Sequence, residues 1–121
     1  MGGITSFQDL DVWKEAHRLV LSVYRVTKDF PADERFGIIS QLRRASSSIT
    51  ANIAEGFSRY YFKDKIRFYY QSRGSVSEVQ NFLILSKDLG YLDEEILQDL
   101  NTQATKILLL TNGLIRSIRN Q

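Results

Sequence analysis

The sequence contains no cysteine. Disulfides, thiolate metal sites and cysteine nucleophiles are therefore excluded. Its one histidine, His17, cannot build a His-cluster metal site. One proline and seven glycines in 121 residues are too few for the many turns of an all-β fold. They suit a few long helices instead. No apolar run approaches the roughly 20 residues that a bilayer span needs. Residues 1–6 (Met-Gly-Gly-Ile-Thr-Ser) have no basic n-region and no apolar h-region, so no secretion signal is expected. They read as a disordered leader of a single domain, 1–121, in a cytoplasmic protein with no membrane partner.

What is present is ordinary for a folded domain: 43% hydrophobic, 25% charged and 12% aromatic residues. The net charge is +2, but it is unevenly placed. Residues 1–34 carry four basic and six acidic groups, and residues 75–121 carry the same numbers. Residues 35–74 carry eight basic groups against two acidic ones. A block of this kind steers polyanions, or it is simply a solvated helix face.

Four segments have helical period. In the first, about 9–29, Val12, Ala16, Leu19, Val23 and Val26 fall on one stripe. Phe30-Pro31 closes it. The second, about 33–56, is striped by Ile38, Leu42, Ala45, Ile49 and Ile53. Asp33 or Pro31 is expected to open it and Gly56 to terminate it. The third, about 62–89, starts aromatic and ends aliphatic, with Gly74 inside it and Gly90 after it. An internal Gly marks close packing or a kink. The fourth, about 93–119, opens on Asp93 as N-cap and ends with Arg116 and Arg119 in its last turn. Short connections force antiparallel neighbours, so the predicted fold is an all-α, up-down-up-down four-helix bundle.

Little catalytic chemistry is on offer. His17 has no acidic partner that makes an obvious dyad, and Ser46, Ser47 and Ser48 have no base nearby. Di-metal bundles use Glu-x-x-His, and here Glu15 is two residues before His17. No Gly-rich phosphate loop exists. No cofactor, metal or catalytic residue is expected. A polar ridge remains: Gln41, Arg44, Ser48, Asn52 and Glu55 on the second helix, and Arg67, Gln71, Ser75 and Glu78 on the third. Buried, the two lines would form a hydrogen-bonded network; exposed, they would be ordinary surface.

The run Gln41-Leu42-Arg43-Arg44-Ala45-Ser46-Ser47-Ser48-Ile49, continuing as Asn52-Ile53-Ala54-Glu55-Gly56-Phe57-Ser58-Arg59, resembles the signature of the four-helix proteins encoded by intervening sequences in bacterial 23S rRNA genes. The opening Phe7-Gln8-Asp9-Leu10-Asp11-Val12-Trp13 resembles that family's start. Phe30-Pro31 to Phe36-Gly37, Gly74-Ser75 with Glu78, and Leu89-Gly90-Tyr91-Leu92 resemble its later motifs. The resemblance implies a ring-like homopentamer without enzymatic activity. A related branch partners a reverse transcriptase in diversity-generating retroelements and binds nucleic acid. It favours a structural network among Ser48, Asn52, Glu55, Ser75 and Glu78, linking helices two and three or adjacent subunits.

The expected function is weak RNA or DNA binding by an oligomer. The candidate phosphate contacts are Arg43, Arg44, Arg59, Lys63, Lys65, Arg67 and Arg73. Tyr60, Tyr61 and Tyr69 lie among them and can stack on bases or pack between helices. The alternative is a scaffold for a client protein, whose cations pair with acidic groups. A small-molecule-binding bundle would need a core cavity with converging polar groups.

Overall fold

All four periodic segments are helices in the computed structural model, which describes residues 3–120. They are α1 (Asp11–Thr27), α2 (Ile38–Ser58), α3 (Phe62–Asp88) and α4 (Glu94–Arg119). No strand occurs among the described residues. Each helix packs on its sequence neighbours and α4 closes on α1, while the backbones of the diagonal pairs stay further apart. The result is the up-down-up-down bundle. Val12, Ala16, Leu19, Val23, Leu42, Ala45, Ile49, Ile53, Val76, Val79, Leu83, Leu100, Ala104 and Ile107 fill its axis. The expected stripes face inward because a fully buried Leu, Ile or Val side chain stabilises by about 1.5–3 kcal/mol.

The helix ends differ from expectation in instructive ways. Within the expected leader, Thr5 and Ser6 are tied down: the Asp9 carboxylate accepts both their N–H groups, at 3.0 and 3.1 Å. This closes a 3-10 turn at Phe7–Asp9, so α1 starts two residues later than Asp9. Met1 and Gly2 lie outside the described residues. Ahead of α2, Ala32–Glu34 form a separate 3-10 turn. Neither Pro31 nor Asp33 opens the helix. Glu34 does so from outside, accepting the Ile38 N–H at 3.2 Å while Tyr91 Oη donates to its other oxygen at 2.7 Å.

Gly56 does not terminate α2, which continues to Ser58. A Cβ on Gly56 would lie 2.6 Å from Cε1 of the buried Tyr69 and 3.1 Å from Cβ of Phe68. Close approach of α3, not a left-handed turn, explains this glycine. Gly90 is the true left-handed stop, at φ +83°. There Tyr91 N–H donates to Ser86 O and Gly90 N–H to Lys87 O, the paired bonds of a Schellman motif. Asp93 caps α4 as expected, accepting the Ile96 N–H at 2.9 Å.

Candidate nucleic-acid interface

The turn from α2 to α3 is short and extended. Arg59 (φ −75°, ψ 144°) and Tyr61 (φ −87°, ψ 138°) are both in the β region. Extended backbone throws successive side chains apart, and here it throws aromatic rings into solvent. Tyr60 is 84% exposed and Tyr61 66%. With the exposed Phe62 they line a shallow cleft of about 390 Å³. The two tyrosine rings meet edge to face, 4.9 Å between centroids and 87° between planes. Among the described residues nothing covers their outer faces.

Cations surround this corner. The guanidinium groups of Arg59 and Arg67 lie 4.7 and 5.2 Å from the Phe68 ring centroid, so one ring positions both. Arg59 also pairs with Glu55 at 3.1 Å. Lys63 is exposed in the first turn of α3, and no hydrogen bond or ion pair joins its side chain to another described residue. Lys65 turns inward instead. Its ammonium donates to the carbonyls of Phe57 and Gly56, at 2.7 and 3.4 Å, and so satisfies the end of α2. Partial burial pushes its pKa down.

The other candidate phosphate contacts sit elsewhere. Arg43 lies in the α1–α2 seam, with its Nε donating to Thr27 Oγ1 at 2.9 Å and its guanidinium 4.5 Å from the Tyr24 ring. Arg44 lies in the α2–α3 seam, bound to Gln41 and ion-paired with Glu78. Arg73 spans to α4, donating to Asn112 Oδ1 at 3.0 Å and lying 4.8 Å from the Tyr70 ring. The seven cations are thus divided between three seams and one corner. Arg59, Lys63 and Arg67 are the ones brought together in the open. Sequence reasoning missed Arg119, whose Nη1 donates to Tyr70 Oη at 3.3 Å. Its segment is acidic overall, but an antiparallel pairing places the end of α4 beside the start of α3.

The polar ridge separates in the same way. Ser75 Oγ donates to Ser48 Oγ across the α2–α3 seam at 3.0 Å. Asn52 Nδ2 donates to the same Ser48 Oγ at 3.0 Å and to the Ser48 carbonyl at 2.9 Å. These three form one connected group. Glu55 and Glu78 stand apart, each in its own ion pair with Arg59 or Arg44. Tyr69 is fully inside, and burial pushes its phenol up to about 12. It is a packing residue. His17 lies on the surface, stacked on Trp13 at 4.8 Å. Among the described residues no group of three or more His, Cys, Asp or Glu is placed to hold a metal ion.

Comparison with known proteins places this geometry. The family model described as 23S rRNA-intervening sequence protein matches residues 8–113. The chain belongs to that family. The bundle is also similar to a crystal structure from Bacteroides thetaiotaomicron, a protein of unknown function from the S23 ribosomal protein family. The TM-score is 0.80 at 22% identity, covering 86% of this chain and 97% of that one. At that identity the likeness supports the fold alone. No curated protein matches. Among the runs on which the sequence resemblance rests, those that hold Ser48, Asn52, Gly56 and Ser75 lie along the α2–α3 seam. No helix among the described residues is long and apolar enough to cross a membrane.

Proposed function

We propose that this protein is a non-enzymatic, self-assembling bundle of the cytoplasm that binds RNA or DNA weakly, with little regard to sequence, through the α2–α3 corner. One observation carries the reading. Most candidate cations are engaged inside the chain, but Lys63 and Arg67 make no ion pair with a carboxylate among the described residues, and both are exposed on the first two turns of α3, directly after the exposed Tyr60 and Tyr61. Surface cations with aromatic neighbours are what a phosphate backbone and its bases require. The homopentamer implied by the family motifs would repeat the corner around a ring. Five copies at +2 each give +10. Repetition converts a weak contact into useful avidity.

The test is a binding titration of the purified protein against 23S rRNA fragments and random-sequence RNA and DNA, across a salt series, with molar mass recorded in parallel. Log affinity should fall linearly with log salt. Lys63→Ala and Arg67→Ala should each lower the slope by about one. Absence of binding at low salt overturns the reading. A client-protein adaptor is the second reading, favoured by the Arg44–Glu78 and Arg59–Glu55 pairs, which engage cations with carboxylates of the same chain.

A further inference from the structure

The corner's chemistry says more than its charge. We infer that the α2–α3 corner takes single-stranded rather than duplex nucleic acid, with Tyr60 and Tyr61 stacking on unpaired bases while Lys63 and Arg67 meet the flanking phosphates. This rests on the nucleic-acid reading above and narrows it to one class of strand.

Three features lead there. First, the rings stand out into solvent: Tyr60 and Tyr61 are 84% and 66% exposed, in the turn between two helices rather than on a helix face. A duplex shows a reader its phosphates and its base edges, and covers its base faces by stacking. A single strand shows the faces themselves, and aromatic side chains are their natural platform. Second, the rings are held perpendicular at 4.9 Å. That edge-to-face contact uses one face of one ring and leaves the others open to a base. Third, the charge is modest. Arg59 already shares Glu55 at 3.1 Å, and Asp64 adds a second carboxylate to the first turn of α3. Phosphate attraction alone would hold any polyanion weakly here, so stacking must supply a preference. A protein partner seated on the three aromatic residues would have to leave Arg59, Lys63 and Arg67 without matching phosphates or bury them beside its own carboxylates.

The experiment uses the full chain and two fluorescent probes, oligo(dT) and a DNA duplex of equal length, at matched salt. Oligo(dT) should bind about tenfold tighter or more. The Tyr60→Leu, Tyr61→Leu double variant should lose about tenfold for oligo(dT) and little for duplex, with the salt slope unchanged. Tyr60→Trp combined with Tyr61→Leu should bind oligo(dT) tighter than the double leucine variant, because an aromatic ring is restored at position 60. Both tyrosines are exposed, so an unchanged melting curve confirms that the variants fold. Equal affinity for the two probes, with tyrosine variants neutral and Lys63→Ala weakening both, overturns the strand preference and leaves the nucleic-acid reading standing. No binding of either probe at low salt overturns both. A double variant that changes the molar mass of the assembly shows the corner to be a contact between copies, and overturns the inference.

Discussion

Between α2 and α3 small residues let the helices approach closely, and the Arg44–Glu78 pair lies at the exposed edge of the seam. Gly56 lies against Tyr69 and Phe68, and Ser75 reaches Ser48. Ser72, fully buried, donates to the Ile49 carbonyl across the seam at 2.9 Å. A side chain that short can reach a facing helix's backbone only if the helices are close. Between α1 and α4 the meeting residues are long and charged. Glu15 holds Arg18 at 2.7 Å and Lys106 at 3.1 Å. Clefts of about 340 and 310 Å³ open beside them, and Leu21 and Leu109 face solvent. Both seams bury the same kind of aliphatic stripe, yet they should respond differently to change. Close packing has no room to relax, whereas flexible ion pairs across a wet cleft adjust.

The hardest blow to the closed seam is Gly56→Val. Its Cβ alone would overlap a buried ring, and the γ carbons add to the clash. We expect a loss of about 3 kcal/mol in urea unfolding. Gly56→Ala should cost about half as much, because its gain of about 1 kcal/mol in helix propensity offsets part of the strain. A neutral Gly56→Val would mean that the two helices separate freely, and the contrast between the seams would vanish. Ser72→Val comes next, at about 1–2 kcal/mol. It overfills a fully buried site and removes the hydrogen bond to Ile49.

Periodicity made the four helices and their order legible, because apolar residues at spacings of three and four fix which face is buried. Asp93 and Gly90 were legible for the same local reason: a cap and a left-handed stop depend on a few neighbouring residues. Gly56 was not. A glycine near a helix end reads as a terminator, and only the position of Tyr69, thirteen residues later and on another helix, shows it to be a contact. The cationic block was equally deceptive. Counting charges groups Arg43, Arg44 and Arg73 with Lys63, but a helix turns 100° per residue and distributes them over three seams. Conversely, Arg119 joins Arg73 at Tyr70 from a segment whose net charge is negative.

Gly74 tests whether an exposed glycine on α3 has any role within the chain. A Cβ there would meet nothing within 4 Å. Gly74→Ala should therefore stabilise an isolated chain by about 0.5–1 kcal/mol through propensity and reduced unfolded-state entropy. The sign is opposite to that at Gly56, on the same pair of helices, and the two variants should be melted side by side. Molar mass measured on the same samples adds a second reading. A stabilised chain that no longer assembles would place Gly74 where another copy approaches closely, and an unchanged mass would leave it outside any such contact.

The smallest effect belongs to the open seam. Glu15→Gln removes the charge that holds Arg18 and Lys106, and should cost no more than about 0.5 kcal/mol at neutral pH. Its pH dependence is the sharper signature. The Lys106 hydrogen bond, aided by the charges of Lys106 and Arg18, holds the Glu15 carboxyl below its ordinary value of 4.5. A carboxyl whose pKa is lower in the folded state binds its proton more readily when unfolded. Its contribution is therefore complete above about 4.5, the ordinary value, and is lost as pH falls through the lower, folded value. The stability difference between the native chain and Glu15→Gln should accordingly shrink to nothing on acidification. It should also shrink with added salt, because the pair is exposed to solvent on the arginine and lysine side. A difference that survives both acid and salt would show that Glu15 packs rather than pairs, and that the α1–α4 seam is as closed as its counterpart.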